Sequence, residues 1–349
     1  MFTVYAEKEI FEKIVLFKKD IPNWYKIFCN HSDVCLNISD ADLLGEQIPG
    51  TPIFEYINAN GGRSPKALSQ YFSDIYDDNS IIAEQPRSAF FLDLTEEEAN
   101  VLQLRYGVVV QGRNNIDDSI LKGTYFKEVT KGTLVEDENC EGWKKLISFS
   151  LPPSNSMVIT DDYLFSNEEN GLSVGKSNII HLVDAFLPDS ISIPYHILII
   201  ANDHPEQNKP PKSTAWCERI IGEINSEICA LRKYTIVIEM VFTRTIHKRK
   251  LVLNYLHITT DKGFGFFKVV DEKTVRDDND IRCDRIFNRV EHSEGDTDFM
   301  SSELILLQLK SKCESVKNFI INYGPLTQNR VLGNCNADYS IKNRLINDV

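Results

Sequence analysis

The feature that most constrains this chain is the alternation of short apolar runs with segments of helical periodicity. The two longest apolar runs, at 195–201 and 235–242, have the length of strands. They fall far short of the ~18 residues that a membrane span needs. Between them, the isoleucines of 220–228 recur at the spacing of one helix face. This alternation predicts a layered α/β fold and no stable insertion into a membrane.

The length of the chain and one stiff segment predict two domains. The chain has 349 residues, and domains of about 150 residues are typical. The polar segment 151–155 contains two adjacent prolines, which suits a connector. We therefore expect two layered α/β domains. The first, in 1–150, has no assigned role, and the second, in 151–349, includes a long C-terminal helix at 302–323.

Local patterns predict several elements of the first domain. Apolar, β-rich runs predict strands at 2–6 and 88–94. Thr95 and Glu98 have the spacing of a capping box, which predicts the start of a helix. The segment 45–63 is rich in glycine and proline and is expected to be a loop.

The second domain is expected to contain one mixed sheet flanked by helices. The segments 235–242 and 250–259 are predicted to be adjacent strands of that sheet. The charged and polar segment 271–298 is expected to be an excursion from it. His181 lies in an apolar helical pattern and His196 in a strand pattern, so both are interpreted as core histidines.

Charge and cysteine content limit the classes of function. The chain has 38 Lys and Arg against 51 Asp and Glu, a formal charge of −13. This disfavours a general coat for polyanions but leaves room for one local basic site. The cysteines form no CxxC pair, so reduced thiols in a cytoplasm are the simplest interpretation, with no metal and no cofactor. The N-terminal residues lack a signal-peptide pattern, and the Asn- and Ile-rich composition indicates a bacterial source.

Acidic residues in the first half allow a metal-nuclease hypothesis. The residues concerned are Asp40, Asp42, Glu46 and Asp93. Asp93 follows an apolar strand, where catalytic carboxylates are often found, but it also comes just before a predicted helix start. An acidic side chain there stabilises the helix dipole, and this structural interpretation is the favoured one.

The most basic stretch of the acidic chain is the strongest candidate site. It contains Arg244, His247, Lys248, Arg249 and Lys250. His247 and Arg249 are two residues apart, so an extended backbone places them on one side. An imidazole can be a nucleophile or a general acid, and a guanidinium can hold the non-bridging oxygens of a phosphodiester. The alternative is a solvated edge strand whose basic side chains discourage pairing.

The spacing His247-x-Arg249-x4-Asn254 resembles the His-x-Lys-x4-Asp signature of the phospholipase D superfamily. The following segment, with Gly263 and Gly265, resembles the phospholipase-D-like C-terminal domain of MIT-domain proteins and its uncharacterised bacterial relatives. An apolar strand followed by Asp and Tyr, in 157–165, is similar to the opening of such domains. The resemblance covers about residues 155–310 and implies a phospholipase-D-like mixed sheet flanked by helices.

The resemblance implies roles for individual residues. It implies catalytic roles for His247, Arg249 and Asn254, and phosphate binding by Arg244, Lys248, Lys250, Gly263 and Gly265. A complete site of this kind needs two such histidine motifs, and the chain has no second copy. A second His247 would therefore come from another subunit of a homodimer. Arginine replaces the lysine of the signature and asparagine replaces its aspartate, which favours binding over hydrolysis.

Three functions stay open at this point. The favoured one is binding of a phosphate-bearing ligand, nucleic acid rather than phospholipid, through a degenerate site. Analogy alone suggests a role in a bacterial defence or mobile-element system. The second is a metal-independent phosphodiesterase or nuclease in which two subunits each contribute His247. The third is a scaffold whose basic strand contacts an acidic protein.

Overall fold

The computed structural model describes residues 2–202, 212–244, 249–288, 297–325 and 329–349, which form two compact α/β units. The first unit comprises Met1–Gly123 and Arg285–Ser301, and the second comprises Thr124–Asp284 and Ser302–Asn347. The chain leaves the first unit at Gly123, whereas the sequence pattern placed the boundary near residue 150. The reason is that residues 124–129 form a strand of the second sheet.

The first unit is built on a five-stranded sheet in which all neighbouring strands are parallel. Its strands, in the order β3-β2-β1-β4-β5, are β1 (Phe2–Glu7), β2 (Ser32–Asn37), β3 (Lys66–Ala67), β4 (Ser88–Phe91) and β5 (Val109–Gln111). Its helices are α1 (Lys8–Leu16), α2 (Pro22–Lys26), α3 (Asp40–Gly45), α4 (Pro52–Ala59), α5 (Ser69–Asp77) and α6 (Glu96–Tyr106).

Caps explain where helices of the first unit begin. The predicted capping box is confirmed, because Thr95 and Glu98 exchange side-chain and backbone hydrogen bonds at the start of α6. The predicted loop at 45–63 is wrong in part, since it contains α4. Pro52 stands at the first position of α4, where its missing N–H has no cost, and Thr51 Oγ1 accepts from Phe54 N at 3.2 Å.

The returning segment Arg285–Ser301 completes the core of the first unit. The rings of Phe287 and Phe299 lie 5.0 and 5.5 Å from that of Phe2, the first residue of β1, and both contacts are edge-to-face. Phe287 and Phe299 also stack on each other at 5.8 Å. Aromatic pairs at these distances contribute stability beyond the apolar area that they bury.

The second unit is built on an eight-stranded mixed sheet in the order β15-β11-β10-β7-β12-β13-β14-β6. Its strands are β6 (Thr124–Val129), β7 (Ser156–Asp161), β10 (Tyr195–Ala201), β11 (Ile236–Phe242), β12 (Lys250–Leu253), β13 (Leu256–Thr260), β14 (Asn279–Arg285) and β15 (Arg330–Gly333). A separate ribbon pairs β8 (Glu168–Glu169) with β9 (Leu172–Ser173). The helices are α7 (Gly142–Leu146), α8 (Val174–Phe186), α9 (Thr214–Cys229), α10 (Asp298–Tyr323) and α11 (Arg344–Asp348).

Helices cover both faces of this sheet, which confirms the predicted arrangement. Ile197 and Ile199 of β10 belong to the apolar cluster that includes α8 and α9. Leu198 and Ile200 belong to the cluster that includes α10 and α11. A strand covered on both faces has no solvent side, which explains the continuous apolar run at 195–201. No helix in the described ranges is long and apolar enough to cross a membrane.

Two predictions about the second sheet are wrong. The segment 250–259 is a hairpin of β12 and β13, and β12 pairs with β7 and not with β11. The polar segment 271–298 contains a strand, β14, in which Ile281 and Cys283 alternate inward and are buried. Two inward residues among charged neighbours are a weak signal, because only one face of the strand is apolar.

Candidate functional site

The candidate site lies at one edge of the second sheet. The strands β7, β10 and β11 are parallel and in register, so Asp161, Ala201 and Phe242 reach the same edge. The antiparallel strands begin there, with Lys250 opposite Thr160 and Arg330 opposite Phe242. In open α/β sheets, ligands bind outside the carboxyl ends of the parallel strands.

Basic side chains concentrate at this edge. We call the set Lys212, Arg244, Arg249, Lys250 and Arg330 the cationic edge. All but Arg330 are half-buried. Coulomb interactions of half-buried cations are screened less than those of exposed ones, so an acidic chain can still attract an anion at this edge.

Asp161 holds the backbone of the edge in place. Its carboxylate is buried and accepts hydrogen bonds from Tyr163 N and Phe264 N, each at 2.9 Å. Burial raises the pKa of this carboxyl, while the two backbone donors and the nearby Arg249 guanidinium oppose the shift. A Cβ on Gly263 would lie 2.3 Å from Asp161 Oδ2, and Gly263 has φ +88°. Only glycine fits there.

Arg249 lies near the Asp161 carboxylate and over an aromatic ring. Its guanidinium carbon is 5.3 Å from the centroid of Tyr163, and Nη1 donates to the carbonyl of Asp261. Tyr163 follows β7 by two residues and is 40% exposed. The pair places a cation and an accessible ring at the surface of the edge.

Arg330 and Lys212 lie where α9 begins. Arg330 is buried, and its guanidinium donates to Cys217 Sγ at 2.7 Å and to the Lys212 carbonyl at 3.5 Å. Lys212 Nζ lies 4.9 Å from the centre of the Trp216 ring, and Ser213 caps the helix through Trp216 N at 3.1 Å. Asp161, Tyr163, Lys212 and Arg330 were not among the residues that the sequence assigned to a site. The sequence signal that could have identified Lys212 is its position just before Ser213, a residue type that often caps the start of a helix.

Apart from Asn254, the predicted site residues fall into three groups. Arg244, Arg249 and Lys250 belong to the cationic edge, whereas His247 and Lys248 lie outside the described residues. Gly263 and Gly265 lie near Asp161 and α8, respectively. Gly263, which was predicted to bind phosphate, packs against the Asp161 carboxylate instead. A Cβ on Gly265 would make only ordinary contacts, at 3.5 Å from Val174 and 3.6 Å from Arg276.

Asn254 lies at the opposite end of β12. Leu253 pairs with Met157 near the start of β7, and the fully buried Asn254 follows it. Its side-chain amide donates to Asn155 Oδ1 at 3.2 Å and accepts from Asn155 N at 3.3 Å. Asn254 comes five positions after Arg249 along extended backbone, a separation of about 16 Å. The structure therefore does not bring these two residues together around one phosphate.

The interpretation of His181 as a core residue is wrong. Its side chain is 43% exposed, and Nε2 lies 2.7 Å from Glu272 Oε2. His196 is half-buried in β10, with Nδ1 at 2.9 Å from the carbonyl of Lys342. Periodicity placed both residues in the right kind of element but could not show which neighbour covers the ring.

A cavity of about 220 Å³ lies beside α8 and α9. Lys176 in its wall contacts Glu223 at 2.9 Å and Glu227 at 2.7 Å. The lining also contains Glu168, Glu272, Arg219 and His181. Carboxylates outnumber the cations of the lining, so the cavity is unfavourable for a polyanion, in contrast to the cationic edge.

The acidic residues of the first unit do not form a metal centre. Glu46 pairs with Lys8 at 2.6 Å, and Asp93 pairs with Arg113. Asp42 donates its N–H to the cap Ser39 at 3.1 Å, and Asp40 begins α3. Across the described ranges, no group of three or more His, Cys, Asp or Glu residues could hold a metal ion.

Comparison with known proteins adds no relative to these observations. No family model matches the chain, and no curated protein matches it. The evidence for a function therefore lies in the chemistry of the cationic edge itself.

Proposed function

We propose that the second unit binds a phosphate-bearing ligand, nucleic acid rather than phospholipid, at the cationic edge. The observation that carries this proposal is the concentration of Arg244, Arg249 and Lys250 at the carboxyl ends of β7 and β11. The rest of the chain is acidic enough to give a formal charge of −13. A basic strip on an acidic protein selects anions locally.

Guanidinium groups suit phosphate better than a diffuse positive surface would. Arginine presents a planar fork of donors that matches two phosphate oxygens. Arg249 has one nitrogen on the carbonyl of Asp261 and its carbon over Tyr163, so the group is oriented before a ligand arrives. Orientation in advance lowers the entropic cost of binding.

A strand of nucleic acid fits this charge distribution better than a membrane does. An anionic membrane presents a plane of charge, and the acidic surface of the protein would be repelled by it. A polymer can follow a narrow strip and avoid the carboxylates beside it. The proposal places this activity in the cytoplasm and in a homodimer, as the sequence predicts.

Binding is favoured over hydrolysis because Arg249 and Asn254, two residues of the catalytic hypothesis, lie at opposite ends of β12. Asn254 is engaged with Asn155 at the far end of β12. Arg249 can hold a phosphate without Asn254, whereas cleavage needs the residues of the signature to lie around the same phosphate.

The proposal can be tested by fluorescence anisotropy with labelled oligonucleotides. The wild-type protein should bind them, and the affinity should fall between about 50 and about 200 mM salt. Arg249→Ala should weaken binding about tenfold, because it removes one charge-assisted contact. Arg219→Ala is the matched control, since Arg219 is 56% exposed and pairs with Glu223 beside the cavity.

Absence of binding by the wild-type protein would refute the proposal, as would equal losses in the two variants. The same samples should be assayed for cleavage without metal. Turnover that is lost in His247→Ala would replace the binding proposal by the phosphodiesterase alternative.

A further inference from the structure

Two cations of the cationic edge lie over aromatic rings, and both rings follow neighbouring strands. Arg249 lies over Tyr163, which comes just after β7, and Lys212 lies over Trp216, in the first turn of the helix after β10. We infer that the ligand is single-stranded nucleic acid, whose bases stack on Tyr163 and, more weakly, on Trp216. This inference rests on the proposed function and goes further by naming the form of the strand.

Tyr163 has the features of a fixed stacking platform. Its N–H donates to Asp161 Oδ1 at 2.9 Å, and its carbonyl accepts from Ser166 N at 3.0 Å and Ser166 Oγ at 2.6 Å. The backbone is therefore held on both sides while the side chain remains 40% exposed. A ring held in this way loses little freedom when a base stacks on it.

Trp216 belongs to an aromatic group at the same edge. Its ring lies 5.7 Å from Phe165 and 6.4 Å from Phe242, the last residue of β11. Phe165 is two residues beyond Tyr163, so one turn of the chain supports both platforms. Trp216 is only half-buried, whereas Trp24 and Trp143 are each 1% exposed.

The two platforms should differ in strength. Lys212 Nζ lies 3.9 Å from Glu168, and Trp216 also lines the acidic cavity. A phosphate is repelled more at that end than beside Arg249, because the Asp161 carboxylate near Arg249 is buried and already accepts hydrogen bonds from Tyr163 N and Phe264 N. We therefore expect Tyr163 to contribute most of the stacking and Trp216 to contribute less.

Stacking of this kind requires unpaired bases. In a duplex the base faces are covered by their neighbours, so an aromatic side chain at the protein surface cannot reach them. A cationic edge with aromatic platforms therefore discriminates in favour of a single strand, with little preference for sequence. A surface that recognised phosphates alone would bind duplex at least as well, because duplex has the higher charge density.

The test compares single-stranded and duplex DNA with a set of tyrosine variants. An oligothymidylate of about 20 nucleotides and a duplex of equal length are titrated in the same buffer. The wild-type protein should bind the single strand about tenfold or more tightly than the duplex. Tyr163→Leu should remove about tenfold of the affinity for the single strand and leave duplex affinity unchanged, and Trp216→Leu should remove less.

Two variants control for loss of the hydroxyl and for loss of an exposed tyrosine elsewhere. Tyr163→Phe keeps the ring and should retain affinity within about twofold. Tyr323→Leu removes a tyrosine that is 71% exposed at the end of α10 and should have no effect. Equal circular dichroism spectra and unfolding midpoints across the set would show that the variants are folded.

The outcomes separate this inference from the proposed function. Binding that depends on Arg249 but is equal for duplex and single strand, or unchanged in Tyr163→Leu, would overturn the inference and leave the proposed function standing. If the wild-type protein binds neither DNA, both fail.

Discussion

The two sheets of the molecule place polar side chains at the same architectural position but use them differently. In the first sheet, Glu7 ends β1 between Asn37 of β2 and the residues that follow β4. The Tyr76 phenol donates to Glu7 Oε1 at 2.6 Å and accepts from Asp93 N at 3.0 Å. In the second sheet, the carboxyl ends of the parallel strands carry the cations described above.

The network of the first sheet is closed. Asn37 Nδ2 donates to Glu7 Oε2 at 2.9 Å, and Asp93 pairs with Arg113. Burial raises the pKa of Glu7, and the hydrogen bonds from Tyr76 and Asn37 oppose that shift. Each of these groups has a protein partner, so the network joins strands to α5. The comparison shows that topology provides the position, while the side chains decide between internal bonding and ligand binding.

The largest expected effect tests whether packing against Asp161 supports the second edge. Gly263→Ala should destabilise the protein by about 3 kcal/mol or more, because the new Cβ meets the Asp161 carboxylate and the φ of +88° strains any other residue. Gly265→Ala should change stability by less than about 1 kcal/mol. Urea unfolding of both variants measures this difference. Equal free energies of unfolding for the two variants would show that the close packing of Gly263 against Asp161 is not needed for stability.

A carboxylate buried in the second sheet, away from the cationic edge, should make the stability of the protein depend on pH. Glu239 in β11 is fully buried, and desolvation raises its pKa to about 7, although Lys342 N and Asn343 N donate to it. The folded state holds the proton of Glu239 more tightly than the unfolded chain does. The contribution of this proton to the free energy of unfolding is therefore complete below about pH 4.5 and is lost as the pH rises toward about 7. The loss is about 3 kcal/mol.

Glu239→Gln isolates this contribution. The glutamine cannot titrate, so the difference in unfolding free energy between wild type and variant should change with pH and then level off above about pH 7. Urea unfolding at several pH values measures it. A difference that is constant with pH would contradict the buried-carboxylate explanation.

Tyr76→Phe should separate the two edges functionally. Loss of the phenol leaves Glu7 and Asp93 N each without one hydrogen bond, which should cost about 1–2 kcal/mol of stability. DNA affinity of Tyr76→Phe should stay at the wild-type value. Arg249→Ala should instead lower DNA affinity and leave stability unchanged. A loss of DNA affinity in folded Tyr76→Phe would end the division of roles between the sheets.

The smallest expected effect is on the salt dependence of binding. Plotting the logarithm of the binding constant against that of the salt concentration should give a slope that is smaller by about 0.7 in Arg249→Ala, since one phosphate contact is lost. Arg219→Ala should keep the wild-type slope. An unchanged slope in Arg249→Ala would mean that Arg249 does not contact a phosphate.

Local patterns in the sequence predicted elements, and long-range pairing determined the rest. The capping box of Thr95 and Glu98 and the apolar stripe of α9 depend on neighbours within one helix, so they could be recognised. The pairing of β12 with β7 could not be recognised, because the partner strand lies about 90 residues earlier.

The site was predicted in part for the same reason. The basic stretch led to Arg244, Arg249 and Lys250, which are close in sequence. Arg330 reaches the same edge only through the antiparallel pairing of β15 with β11. Asn254 was assigned by its spacing from Arg249, but a strand carries that spacing away from the edge.

The discontinuity of the first unit has a consequence for synthesis on the ribosome. Phe2 leaves the exit tunnel among the first residues, but its ring partners Phe287 and Phe299 are translated almost 300 residues later. The N-terminal unit therefore cannot complete its core during its own translation and remains exposed while the second unit is made. The apolar face of β1 would be accessible to chaperones and proteases throughout that interval. A chain that terminates before residue 301 should therefore be degraded.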